Sequence, residues 1–92
     1  MYRVYILLCS DGSFYVGQTA NLRARLEAHS SGRGAAYTYK RLPVELVYSE
    51  AHSTRLAAIR RERQLKRWSH RKKEALIRGD LAILKALSKR RI

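Results

Sequence analysis

Two tyrosines ten positions apart (Tyr5 and Tyr15), an arginine and a histidine four apart (Arg25 and His29), and one glutamate in a basic stretch (Glu62) are the residues of this sequence whose types and spacing can do chemistry. Arg25 and His29 at i and i+4 of a helix would share a face; beside a tyrosine pair they would make a polar pocket. Glu62 has Ala58, Ile59 and Leu65 as its helical neighbours, and a carboxylate in an apolar stripe needs an arginine or a metal ion as partner. Each residue also has a plain reading. Tyrosine suits strands, the arginine can be solvated and the histidine a satisfied half-buried residue, and Glu62 can pair with Lys66 one turn on.

Those residues need elements to position them. YRVYILLC at 2–9 and FYVGQ at 14–18 are rich in β-branched and aromatic residues, and Ser10-Asp11-Gly12-Ser13 between them has turn chemistry, so they read as a β-hairpin. Two registers are open. A two-residue Asp11-Gly12 turn pairs Ser10 with Ser13 and sends the tyrosines to opposite faces. A three-residue Ser10-Asp11-Gly12 loop pairs Cys9 with Ser13 and makes them diagonal neighbours on one face. From Asn21 the spacing turns helical, with Thr19 or Asn21 as N-cap and an end near Ser30. SGRGAAYTYKR at 31–41 has neither periodicity and reads as a loop. Pro43 opens a third strand, VELVYSE. Helices follow over about 54–67 and from Ser69, with Gly79 as a left-handed C-cap and Asp80 as N-cap of a last helix, LAILKALSK; the tail Lys89-Arg90-Arg91 is expected to fray. The order β-β-α-β-α-α-α predicts an α+β fold: a three-stranded, mainly antiparallel sheet flanked by helices. Trp68, between two helices, is read as a packing anchor.

At 92 residues the chain has room for one modest core, which excludes a two-domain enzyme. Twenty Lys and Arg against seven Asp and Glu leave a net charge of +13. Residues 1–54 carry six basic and four acidic side chains, residues 55–92 fourteen and three, so the C-terminal part is the electrostatic handle for a polyanion. No apolar run approaches the length of a membrane span and no leader pattern opens the chain. A lone cysteine, Cys9, and three scattered histidines make neither a disulfide nor a zinc framework. A soluble, cytoplasmic protein without membrane association is expected.

Taken in order, these residues resemble the GIY-YIG nuclease family. Its first triplet would fall on Arg3-Val4-Tyr5, beginning with Arg3 where the family has glycine, and its second on Tyr15-Val16-Gly17. Thr19, the Asn21-Leu22 helix start, Arg25, His29 and Glu62 follow in the family's order, and GRGAAYTYKR, PVELVYSE and RERQLKRW look like its small standalone bacterial branch. The resemblance covers nearly the whole chain and implies a single nuclease domain over 1–92 with a basic helical part over about 54–92. It implies phosphodiester hydrolysis with one divalent ion, Mg²⁺ or Mn²⁺, and Glu62 as its one protein ligand, which suits an ion that keeps several waters. Arg25 would stabilise charge developing on the attacked phosphate. Tyr5 and Tyr15 would position the attacking water, one of them as general base with nearby cations favouring its phenolate, and His29 would assist proton transfer or hold a tyrosine hydroxyl. This chemistry selects the register with both tyrosines on one face, Val4, Ile6, Phe14 and Val16 on the other, and a pocket closed by Arg25, His29 and Glu62.

Nucleic acid, DNA in preference to RNA, is the expected partner. Gly17 is expected where backbone and substrate approach closely, Gly32-Arg33-Gly34 with Tyr37, Tyr39, Lys40 and Arg41 to clasp a backbone phosphate, and Lys66, Lys72 and Lys73 to bind phosphates from the basic half. The alternative function is a basic module that binds structured RNA or damaged DNA on the same fold with little or no cleavage.

Overall fold

A computed structural model describes residues 1–89. Strands β1 (Tyr2–Leu8), β2 (Phe14–Thr19) and β3 (Glu45–His52) form one antiparallel sheet in the order β2-β1-β3. The helices are α1 (Leu22–Ser30), α2 (Ala36–Tyr39), α3 (Arg55–Lys66), α4 (His70–Arg78) and α5 (Leu81–Lys89). This is the expected α+β fold, with a short additional helix, α2.

The hairpin adopts the three-residue loop. Cys9 N–H donates to Ser13 O at 2.9 Å and Gly12 N–H to Cys9 O at 3.0 Å, with Gly12 at φ +85°, a left-handed conformation that glycine adopts without steric cost. Asp11 locks the turn by accepting from Ser13 N–H at 3.0 Å and from Ser13 Oγ at 2.6 Å. The resulting register sets Leu7 opposite Tyr15 and Tyr5 opposite Gly17. Strand alternation then puts Tyr5, Leu7, Tyr15 and Gly17 on one face and Val4, Ile6, Phe14 and Val16 on the other.

The even-numbered face carries the main core. Val4, Ile6 and Val16 meet Ala58 and Leu65 of α3, with Phe14, Tyr48, Trp68, Leu76 and Ile77 packed around them. A fully buried leucine such as Leu65 stabilises the fold by about 1.5–3 kcal/mol relative to exposure. Trp68 is the packing anchor its position suggested. On the same face, a network ties β3 to α3: Tyr48 Oη donates to Glu50 Oε1 at 2.6 Å, and Glu50 Oε2 receives His52 Nε2 at 2.6 Å and Arg61 Nε at 3.0 Å.

Side-chain caps start the helices where the sequence placed them. Asn21, Thr54, Ser69 and Asp80 accept from the N–H groups of Ala24, Ala57, Lys72 and Ile83, all at 3.1 Å, and Gly79 ends α4 at φ +71°. Three elements differ from expectation. β3 runs on to His52 because Ala51 and His52 pair with Arg3 and Tyr2. The segment read as a loop over 31–41 contains α2, closed by Tyr39 N–H and Thr38 Oγ1, which both donate to Ala35 O, at 2.9 and 3.1 Å. Of the tail, Lys89 ends α5, and Arg90 and Arg91 lie outside the described residues.

Candidate active site

On the odd-numbered face the sheet presents a buried chain of polar groups. Tyr5 (2% exposed) and His29 (1% exposed) are joined by a 2.9 Å hydrogen bond between the phenol and Nε2. His29 Nδ1 in turn lies 2.8 Å from Thr38 Oγ1. Chemistry fixes the direction of this chain. The single hydroxyl proton of Thr38 goes to Ala35 O, so Thr38 accepts from Nδ1–H. The neutral ring then has its lone pair at Nε2, which accepts from the Tyr5 hydroxyl.

Two glycines make room for these rings. A Cβ at Gly17 would collide with the Tyr5 phenol, and a Cβ at Gly34 with the His29 ring. Gly17 therefore approaches Tyr5, and the space its side chain would take is filled by that phenol. Tyr15, half-buried, sits with its ring centroid 6.5 Å from Tyr5 and 5.3 Å from His29. Tyr37 stacks on Tyr15 at 6.0 Å, and the Arg41 guanidinium covers Tyr37 at 3.8 Å. Arg41 is anchored by Asp11 at 3.0 Å, so Tyr37 is held between Tyr15 and Arg41 while 39% exposed.

The electrostatics divide the pocket. Burial, reinforced by the neighbouring Tyr15 phenol, raises Tyr5 well above the ordinary tyrosine range; Arg25 pulls it down and Glu62 adds to the rise. The cations expected to favour a phenolate are thus outweighed by desolvation in the free protein. Burial, aided by Arg25, lowers His29 and keeps it neutral at physiological pH. Arg25 is exposed and lines a cleft of about 360 Å³ with Arg55, Gln18, Thr19, Ala20 and Tyr2.

The helix that carries Glu62 lies on the other face of the sheet. α3 packs on the even face through Ala58 and Leu65, opposite the face of Tyr5, so α1 and α3 flank the sheet and do not close a cup on one side. The Glu62 charge is nevertheless felt at the Tyr5 phenol. Its side chain is 19% exposed, and the carboxylate pairs with Lys66 Nζ at 3.0 Å, the plain i, i+4 pair that the spacing allowed. Among the described residues no cluster of three or more His, Cys, Asp or Glu side chains is placed to hold a metal.

The basic residues divide as well. Arg33 and Lys40 are exposed beside α2, and Lys66 is held by Glu62. Lys73 is half-buried, and that burial lowers its pKa. Lys72 is 6% exposed, with its ammonium 4.2 Å from the centre of the Trp68 ring. Its stem is buried and its head lies over an aromatic face, a packing role beside the phosphate contact expected of it. Sequence reasoning missed Thr38 and Arg55, and it read Gly34 as part of a phosphate-clasping loop and not as the wall of the His29 ring. Only Thr38 left a signal, a hydroxyl between two tyrosines, and it required recognising a helix of one turn.

The chain matches the GIY-YIG catalytic domain over residues 1–75. It is 47% identical over 75 residues to a UPF0213 protein of Staphylococcus aureus, covering 82% of this chain and 92% of that protein. Two solution NMR structures are similar. The UPF0213 protein BH0048 from Bacillus halodurans is 45% identical with a TM-score of 0.55, over 84% of this chain and 83% of that one. EF2693 from E. faecalis is 39% identical with a TM-score of 0.59, over 85% and 83%. Among the described residues no helix is long and apolar enough to cross a membrane. A catalytic-domain match through α1, the sheet and α3, together with relatives that align over most of their length, shows that the chain belongs to the GIY-YIG family, whose domain is associated with endonucleases.

Proposed function

We propose that this protein is a metal-dependent nuclease that hydrolyses phosphodiester bonds of nucleic acid with Tyr5 and His29 as its proton-handling pair. The observation that carries this reading is the oriented chain Tyr5–His29–Thr38–Ala35. Because the Tyr5 proton is committed to His29, the phenol oxygen has only acceptor capacity left, the capacity needed to orient an attacking water. Neutral His29 can take the Tyr5 proton as Tyr5 takes one from that water. The imidazolium so formed donates from both nitrogens, to Tyr5 and to Thr38. Tyr15, the more accessible phenol, flanks the same position. Arg25, exposed and close enough to act on both Tyr5 and His29, is suited to hold the charge that develops on a phosphate.

Glu62 suits a hard divalent cation such as Mg²⁺ or Mn²⁺: it offers carboxylate oxygens on a half-buried side chain, and Mg²⁺ needs few protein carboxylates because water and substrate oxygens complete its shell. When bound, such an ion would supply Lewis-acid stabilisation of the phosphate. Glu62→Gln is expected to abolish cleavage of labelled DNA and RNA in Mg²⁺ or Mn²⁺ while binding, measured in chelator, survives. A second reading, a binding module without cleavage, is favoured by the Glu62–Lys66 pair, which gives the carboxylate a sufficient partner. No cleavage by wild-type protein would select it, and cleavage by Glu62→Gln at the wild-type rate would overturn the role given to Glu62.

A further inference from the structure

The single turn α2 sends three consecutive side chains to three different places. Tyr37 stacks on Tyr15 and is covered on its other side by Arg41, and Thr38 holds His29. Tyr39 remains 62% exposed. Its ring packs against Gly32, where a Cβ would lie 3.1 Å from Tyr39 Cδ1, so the backbone braces it from one side. Together with Arg33 and Lys40, Tyr39 lines a cleft of about 380 Å³. The lining of that cleft includes Gly34, the residue against which the His29 ring lies.

We propose that this cleft takes an unpaired nucleobase of a single-stranded segment, stacked on Tyr39 with its flanking phosphates held by Arg33 and Lys40. A braced, exposed ring in a cleft that two cations also line is the combination that single-strand binding uses, since every base has a π-face and the backbone is anionic. A base inside a duplex has both faces already stacked and cannot present one to a side chain. The volume suits a single base. The shared wall at Gly34 sets that base beside His29, so the preferred substrate has a single-stranded stretch next to the bond attacked. This specificity rests on the nuclease reading of the neighbouring pocket, whereas the binding itself does not.

The test is fluorescence anisotropy in chelator, where cleavage plays no part, with labelled oligothymidylate, oligouridylate and a blunt DNA duplex of equal length. Tyr39→Ala is expected to weaken single-strand binding by about tenfold and leave duplex binding unchanged. Tyr39→Phe, which keeps the ring, should bind like wild type; Tyr39→Leu, which keeps packing against Gly32 without a π-face, should behave like the alanine variant. Loss confined to oligothymidylate or to oligouridylate identifies the strand as DNA or RNA. Single-strand affinity unchanged in Tyr39→Ala, an equal loss on duplex, or a Tyr39→Phe as weak as Tyr39→Ala would overturn the proposal.

Discussion

The two faces of the sheet carry networks made from the same kinds of side chain, and their difference shows which one is suited to chemistry. On the even face, Tyr48, His52 and Arg61 all donate to one carboxylate, Glu50. Burial alone would push that carboxyl up, but the three hydrogen bonds outweigh it and hold it below the ordinary range. Such a site has little acceptor capacity left, and it joins β3 to α3. On the odd face the centre is an uncharged imidazole, the donors form a line ending at a phenol, and the nearest charges, Arg25 and Glu62, act across space without closing the line. A network saturated around an anion fixes structure. One that ends on an acceptor oxygen beside an arginine can act on a substrate.

The comparison can be broken first at its arginines. Arg25→Ala should slow cleavage of bound substrate by about 10²–10³-fold, the usual loss when one donor to a developing anion is removed, with affinity little changed. Arg61→Ala, in the even-face network, should instead lower stability and leave the rate of folded molecules intact. Steady-state kinetics beside denaturant melts separates the two. A smaller effect is expected at Glu50. A carboxyl whose pKa is lower folded than unfolded contributes stability above the ordinary glutamate value of about 4.3 and loses it as pH falls through the lowered value. Glu50→Gln should therefore cost about 1–3 kcal/mol at neutral pH and remove this part of the acid dependence of the melting temperature. The smallest effect belongs to Lys72. Lys72→Ala should lose about 0.5–2 kcal/mol of stability through its contact with Trp68 and leave the salt dependence of nucleic-acid binding unchanged. A flattened salt slope would place Lys72 among the phosphate contacts.

Much of this contrast was legible in the chain. The turn chemistry at Ser10–Ser13 narrows the hairpin to two registers, and the one observed decides which residues share each face. Asn21, Ser69, Gly79 and Asp80 mark helix ends because each supplies a cap that does not depend on distant partners. What local pattern does not encode is tertiary placement. α2 is one turn long, too short for any periodicity, so Thr38 could not be tied to His29. Lys72 looks like any basic surface residue until Trp68 is folded beneath it. Glu62 lies in the apolar stripe as read, yet which face α3 would cover depends on the crossing from β3, which no spacing within the helix records.

The most direct test is the single-turnover cleavage rate of Tyr5→Phe beside that of Tyr48→Phe, in Mg²⁺ or Mn²⁺, on substrate already bound. Each change removes one phenolic hydroxyl from a hydrogen-bonded network and keeps the ring, fully buried for Tyr5 and half-buried for Tyr48. The account predicts that Tyr5→Phe falls by about 10²–10⁴-fold, the usual contribution of a positioned proton-transfer group, while Tyr48→Phe cleaves at the wild-type rate. Equal rates in the two variants, whether both intact or both lost, would contradict it.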